Sequence, residues 1–166
     1  SVITRRFDRI VKEIKPSVVH HQNISLLGYG VLKRVADYLN LYTAHDFWLI
    51  CQNSSLWNRK GICRNKRCTY CALEFNRPPQ FWRRMNSFRG TIRELDAVIA
   101  SSAYMGRTIL KEYEFLRIVV IPNFVPRPPS LIPSLHEFGD FFLYAGRLER
   151  VKGLSLIHIS EPTRPY

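Results

Sequence analysis

Polar side chains that could do chemistry follow short apolar runs in the first half of the sequence. His20 lies at the end of the run Ser17-Val-Val-His-His, and His45 follows a second run that begins at Asn40. If both runs are strands of a parallel sheet, their carboxyl ends open on a crevice of the kind that binds ligands. Imidazole can exchange protons and hydrogen bonds near neutral pH, although a lone histidine is more often structural. The sequence therefore makes His45 a candidate catalytic residue and His20 a candidate ligand contact.

The cysteines form a second constellation. All four lie within 21 residues, as Cys51, Cys63, Cys68 and Cys71, and the last two have the CxxC spacing that can present two thiolates to one metal. Four ligands is the number that a closed structural zinc site needs, but the spacing from Cys51 to Cys68 is not that of a regular zinc ribbon. The open alternatives are structural zinc, an iron–sulfur cluster, disulfides and free thiols, and a cytosolic location disfavours the disulfides.

The elements that must position these groups follow from the hydrophobic spacing. Residues 4–15 and 26–39 carry apolar side chains at helical intervals and predict two amphipathic helices, the first ending before Pro16. A further helix is predicted at 104–113, after the capping pair Ser101-Ser102. Strands are predicted at 17–21, which is expected to be buried, and at 40–46, 96–102 and 117–123. Strands that alternate with helices predict an α/β fold with a doubly wound parallel sheet.

Proline content sets the expected domain boundary. Residues 124–139 contain four prolines and predict an extended linker after a first domain at 1–123. We expect that domain to be incomplete at its N-terminus and to carry a Cys-rich insertion at about 51–93. A second domain then begins at 140–154. Residues 155–166 continue no pattern and are interpreted as a non-native tail.

Charge narrows the classes of partner. The chain has a net charge of +12, and between Arg59 and Arg93 ten basic residues face the single acid Glu74. Such a surface suits nucleic acid, an anionic membrane or a phosphate-bearing substrate. Because no run of about 18 apolar residues occurs, we expect a cytoplasmic protein that is soluble or peripheral at the inner face of the cell membrane.

Five strings carry a resemblance to a known family. They are Lys15-Pro-Ser-Val-Val-His, Thr43-Ala-His-Asp-Phe-Trp, Leu95-Asp-Ala-Val-Ile-Ala-Ser-Ser-Ala-Tyr-Met, Val120-Ile-Pro-Asn-Phe-Val-Pro and Tyr144-Ala-Gly-Arg-Leu-Glu-Arg-Val-Lys-Gly-Leu. In this order they resemble glycosyltransferase family 4 over about residues 10–154. The resemblance implies the GT-B architecture, in which two Rossmann-like domains face a cleft and a nucleotide-diphosphate sugar binds mainly to the second domain.

The resemblance also implies roles for individual residues in binding the sugar donor. Arg147 and Lys152 match family residues that contact the diphosphate, and Gly146 would let the backbone approach it closely. Fixed cations there would neutralise the leaving diphosphate. The alternative for this string is a strand followed by a solvated charged turn.

For the acceptor side, the resemblance places His45 near the transferred sugar, where it orients hydroxyls and supports developing charge. His20, Asn23 and Ser102 match acceptor-side positions, although Gln22 stands where the family often has histidine, and Ser102 is also expected to cap a helix.

The implied activity is a hexosyltransferase type of sugar transfer to a glycan or lipid-linked acceptor in cell-envelope or polysaccharide biosynthesis. Retention of anomeric configuration and the absence of a catalytic metal are implied in the same way. The family's donor domain continues beyond Lys152, so we expect the 166 residues alone to be inactive.

Two rival functions remain. The basic, aromatic-rich Cys segment is also typical of a zinc-knuckle nucleic-acid-binding protein, although that reading leaves the strand–helix units unexplained. The other rival is a non-catalytic sugar- or lipid-binding relic. For the segment itself we favour contact with an anionic membrane.

Overall fold

The computed structural model describes residues 1–58, 61–126 and 144–146. Contacts divide the chain into one unit over Ser1–Asn123 and a second over Phe124–Tyr166. All helices and strands of the described residues lie in the first unit. Most of the predicted linker, the predicted start of a second domain apart from 144–146, and the predicted tail lie outside the described residues.

The elements are short and alternate along the chain. The strands are β1 Val18–His21, β2 Leu39–Ala44, β3 Trp57–Asn58, β4 Gly61–Ile62, β5 Ala97–Ala100 and β6 Ile118–Val120. The helices are α1 Val2–Ile14, α2 Cys68–Glu74, α3 Asn86–Arg93 and α4 Ala103–Leu110, with 3-10 turns at Tyr29–Leu32 and Phe81–Arg84. None of the helices in the described part of the chain has the length and apolarity needed to cross a bilayer.

Four strands form a parallel sheet in the order β1-β2-β5-β6. His20 pairs with Leu41, Leu41 pairs with Ala97, and Val98 pairs with Ile118, so the carboxyl ends of all four strands lie at one edge. Parallel pairing requires a crossover connection between strands; helices lie in the crossovers from β2 to β5 and from β5 to β6, and a 3-10 turn lies in the crossover from β1 to β2. The predicted α/β class with a Rossmann-like parallel sheet is confirmed. The four strands lie side by side in the order in which they occur along the chain, as in one half of a doubly wound sheet.

The first helix forms as predicted. Ser1 caps α1 by accepting a hydrogen bond from the Thr4 amide at 3.1 Å, and Lys15 ends it in the left-handed conformation at φ 50°. Its inward face brings Val11 into the core, with Phe7 packed against the core cluster. Pro16 then prevents further helix.

Two sequence predictions are wrong. Residues 26–39 do not form a helix, because Gly28 takes a left-handed φ of 83° and the chain makes only a 3-10 turn before Leu39 enters β2. Strand β1 is buried only at His21, because it lies at the edge of the described sheet, and Val18 keeps 48% of its surface exposed. In both places the secondary structure and the burial depend on how the strands pair in the sheet, which the apolar content of the sequence does not record.

The core forms between the sheet and the helices that follow β2 and β5. Phe88 and Ile92 lie one turn apart on α3 and are fully buried, as are Val98 of β5 and Ile109 of α4. The crossover helix from β2 to β5 thus lies inside the segment that the sequence marks as Cys-rich and basic.

Candidate functional site

The candidate site is the edge of the sheet where β1 and β2 end. Because His20 pairs with Leu41 in the parallel register, Thr43 lies two residues further along β2 on the same face of the sheet. The chain leaves β1 through Gln22 and leaves β2 through His45. Four polar groups from two distant segments therefore converge at this edge.

Hydrogen bonds join these four residues into one network. The His20 Nε2 atom lies 2.7 Å from Thr43 Oγ1 and 3.1 Å from Gln22 Nε2. The Gln22 Oε1 atom accepts from His45 Nε2 at 2.7 Å. His20, Gln22 and His45 are exposed and Thr43 is partly exposed, so a ligand can reach all four.

The network favours one tautomer of His45. If Gln22 Oε1 accepts, His45 carries its proton on Nε2 and keeps a lone pair on Nδ1. An imidazole held in this way can accept a hydrogen bond from a sugar hydroxyl or take up a proton. The predicted candidates His20 and His45 are thus brought together.

Gln22 and Thr43 are functional candidates that the sequence reasoning missed. The sequence marks Gln22 only as a replacement for a common histidine, yet its amide bridges His20 and His45. Thr43 lies within one of the family-like strings, which assigns it no role. Strand alternation is the signal that could have identified Thr43. Leu41 pairs with His20, and Thr43, two residues further along β2, lies on the same face of the sheet as both.

His21 has a different fate from its neighbour. It is 6% exposed, its ring lies 5.8 Å from that of Phe7 at a tilt of 45°, and its Nε2 donates to Asn40 Oδ1 at 3.0 Å. The Asn40 amide nitrogen is occupied by the carbonyls of Leu32 and Glu94, so its oxygen must be the acceptor. Burial lowers the pKa of His21, with the Asn40 hydrogen bond opposing the shift. This histidine holds the sheet together and does not face the site.

The other two acceptor-side candidates have local structural contacts. Asn23 Oδ1 accepts from the Ser25 amide at 3.1 Å and from the Ser25 hydroxyl at 2.7 Å, which fixes the turn after β1. Ser102 caps α4 by accepting from the Met105 amide at 3.2 Å, as the sequence predicted. Both residues remain exposed beside the strand ends.

The donor-binding candidates lie in the second unit. Gly146 is described and exposed, and a Cβ atom at this position would lie 2.9 Å from the Tyr144 hydroxyl. Arg147 and Lys152 lie outside the described residues, so their predicted contacts stay predictions.

All four cysteines line one cavity of about 300 Å3 between the β3–β4 hairpin and α2. Burial raises the pKa of the Cys63 thiol, and the nearby Cys51 and Cys68 add to the rise. Burial and the other thiols also raise the pKa of Cys71, whose sulfur accepts from Asn53 Nδ2 at 3.1 Å.

The cysteines are close without being arranged as a metal site. Within residues 1–58, 61–126 and 144–146, no group of three or more His, Cys, Asp or Glu side chains stands close enough to hold a metal ion. The structure describes the four thiols as free. Structural zinc therefore stays a prediction.

Comparison with known proteins gives one match. Residues 2–127, more than half of the chain, match the family model described as Glycosyltransferase Family 4. No curated protein matches the chain, nor does any solved structure. The matched range contains the sheet, the histidine network and the cysteine cavity.

Proposed function

The chain belongs to glycosyltransferase family 4, and on that premise we propose that the intact gene product transfers a sugar from a nucleotide-diphosphate sugar to a glycan or lipid-linked acceptor. The observation that carries the proposal is the exposed network of His20, Gln22 and His45 at the carboxyl edge of the parallel sheet. Ligands of open α/β sheets bind at this edge.

The network supports a positioning role at the acceptor. An acceptor hydroxyl reacts with the anomeric carbon only when it is held close to that carbon in the right orientation, and positioned hydrogen bonds can hold it there. In the proposed reaction His45 contacts the sugar near the reacting carbon through Nδ1, while Gln22 fixes the ring. His20 and Thr43 offer further hydrogen bonds to acceptor hydroxyls.

The leaving group needs positive charge. Cleavage of the bond to the sugar releases a nucleoside diphosphate, and the developing negative charge is stabilised by fixed cations. Arg147 and Lys152 are proposed for this task, with Gly146 permitting close backbone approach. The reaction is proposed to retain the anomeric configuration and to use no catalytic metal.

The proposed setting is cell-envelope or polysaccharide biosynthesis at the cytoplasmic face of a membrane. The exposed basic residues of the Cys-rich segment support contact with anionic lipid there.

The test compares His45→Ala and Gln22→Ala in the intact gene product. We expect His45→Ala to lower kcat about 100-fold, because it removes the imidazole that contacts the sugar. We expect Gln22→Ala to lower kcat about tenfold, because it removes only the hydrogen bond that orients this imidazole. The rate is measured as nucleoside diphosphate released from a panel of nucleotide sugars in the presence of a lipid and glycan extract.

Glu13→Gln is the control, since Glu13 is exposed on α1. It should retain the parental rate. Parental rates for both site variants, with the control equal to them, would show that the network takes no part in transfer.

A further inference from the structure

A second cavity lies apart from the sheet-edge site, in the Cys-rich segment. It has a volume of about 550 Å3, and its wall includes the loop after β2, the start of α2, the turn Phe81–Arg84 and Tyr113. A volume of this size fits a small organic ligand. The histidine network contributes no residue to its wall.

The wall is strongly cationic. It contains Lys66, Arg67, Arg83 and Arg84, while Glu112 is the only carboxylate among the lining residues. Lys66 pairs with Glu112. Because Glu112 is already paired with Lys66, the guanidinium groups of Arg67, Arg83 and Arg84 face the cavity with no second carboxylate among the lining residues to pair with them.

Arg83 is a fixed cation at the back of this cavity. Its guanidinium carbon lies 4.8 Å from the Trp48 ring centroid and 4.5 Å from that of Trp82. Its Nε donates to Gln80 Oε1 at 2.6 Å and its Nη1 donates to the Trp48 carbonyl. These contacts hold the group in one position.

The charge of Arg83 is incompletely compensated. Burial lowers its pKa, its Nη2 atom is enclosed, and that atom has no hydrogen-bond partner within the described part of the chain. A buried cation without a countercharge is costly, so the arrangement favours an anion nearby. Arg67 and Arg84 are exposed and can bind that anion directly.

Apolar groups occupy the rest of the wall. Phe81 and Tyr70 each keep 60% of their surface exposed, and Leu49 and Ile50 lie deeper. Exposed aromatic groups beside a cationic pocket suit a ligand with an anionic head and an apolar chain. A purely polar anion would leave this surface uncovered.

We propose that this cavity binds the phosphate or diphosphate head of an amphipathic molecule, whose hydrocarbon chain lies against Phe81 and Tyr70. Arg67 and Arg84 donate hydrogen bonds to the phosphate oxygens, and Arg83, which is more deeply buried, supplies a fixed positive charge near the phosphate. The identification of this molecule with the lipid carrier of a lipid-linked acceptor rests on the proposed function, whereas the binding itself does not.

The test uses tryptophan fluorescence of the 166-residue chain, because Trp48 and Trp82 stack on Arg83. The probes are farnesyl diphosphate, inorganic diphosphate and farnesol. We expect a saturable emission change with farnesyl diphosphate, affinity at least about tenfold weaker for inorganic diphosphate, and no saturable change with farnesol.

Arg67→Gln and Arg84→Gln should each weaken farnesyl diphosphate binding about tenfold, since each removes a charge-assisted hydrogen bond. Arg64→Gln is the matched control, because Arg64 lies in the same basic segment and outside this cavity. Its affinity should equal that of the parent. Both test residues are exposed, and circular dichroism checks that all three variants fold.

Equal affinities for inorganic and farnesyl diphosphate would overturn the amphipathic ligand in favour of free phosphate. Binding that Arg67→Gln and Arg84→Gln leave unchanged would overturn the site itself. Neither result bears on the proposed transfer reaction, because no sugar nucleotide takes part in the titration. Conversely, a loss of sugar transfer in the His45 variant would support the proposed function even if the chain did not bind farnesyl diphosphate.

Discussion

Two neighbouring histidines show how strand alternation decides which side chain a ligand can reach. His20 is exposed and joins the hydrogen-bond network, whereas His21 points into the core and bonds to Asn40. Strand alternation sends them to opposite faces of the sheet. The one that faces solvent is the one available for binding.

His21 should make stability depend on pH. Its pKa in the folded protein is below the ordinary value of 6.5, so the folded state favours the neutral ring and the unfolded state binds protons more readily. The stabilisation from the buried ring is therefore complete above the unfolded pKa and is lost as pH falls through the lowered folded value.

We expect the difference in unfolding free energy between the parent and His21→Gln to shrink as pH falls from about 7.5 to about 5. Urea denaturation at several pH values measures it. His20 and His45 are present in both proteins, so the difference between them reports on His21. A constant difference across this range would contradict the lowered pKa.

At the scale of elements, two helical glycines differ in their surroundings. Gly106 on α4 faces β6 so closely that a Cβ atom would lie 2.9 Å from Ile118 Cγ2. Gly90 on α3 has no atom of the described residues within 4 Å of such a Cβ. The close approach at Gly106 seats α4 on the sheet, which in turn places Ser102 beside the strand ends.

These glycines predict opposite effects of alanine. Gly90→Ala should stabilise the protein by about 0.5–1 kcal/mol, because alanine has the higher helix propensity and meets open space. Gly106→Ala should destabilise it by about 1–2 kcal/mol, since the methyl group overpacks the helix against Ile118. Thermal or urea unfolding of the pair measures both, and a stabilising Gly106→Ala would contradict the packing.

The cysteine cavity joins the β3–β4 hairpin to α2, two short elements with little core of their own. A zinc ion would draw the four sulfurs to about 2.3 Å from one centre and fix the hairpin against the helix. We predict one zinc per chain by atomic absorption after purification without chelators. Addition of a chelator should then lower the melting temperature.

Cys68→Ser tests the same point with its own control. It should abolish both the bound zinc and the effect of the chelator, because a tetrahedral site loses one ligand. If the parent is purified without metal and a chelator does not change its melting temperature, the zinc prediction is wrong and the four thiols are ordinary free cysteines.

At the scale of the whole molecule, the basic residues that give the chain its net charge of +12 have two kinds of surroundings, aromatic rings and solvent. Within the basic segment, Arg83 stacks on tryptophans, and Arg89 and Arg93 lie 5.3 Å and 4.8 Å from the Phe115 ring centroid. The remaining exposed bases, including Arg64, Arg77 and Arg84, form the surface that we expect to face anionic lipid.

We predict that the chain floats with vesicles containing anionic phospholipid and not with neutral vesicles of the same size. Each base near an anionic surface contributes about 1 kcal/mol, and salt should weaken the binding. Equal recovery on both vesicles would contradict membrane contact. Salt-dependent gel shifts with generic nucleic acid, in the absence of lipid binding, would favour the nucleic-acid-binding rival instead.

The sequence by itself determined the fold class, helix α1, the cap of α4 and the positions of His20 and His45 at strand ends. Those features depend on local periods of apolar residues and on capping side chains, which a linear pattern records. The same local reasoning failed at 26–39, where Gly28 and the pairing of Leu39 with Val18 replaced a helix with a turn and a strand.

Only the tertiary structure decided how the site residues meet. His20 and Thr43 are 23 positions apart, as are Gln22 and His45, and the parallel register of β1 and β2 brings both pairs together. The contact of Arg83 with Trp48, 35 positions away, likewise joins distant segments. Such contacts depend on strand order and packing, which no local spacing encodes.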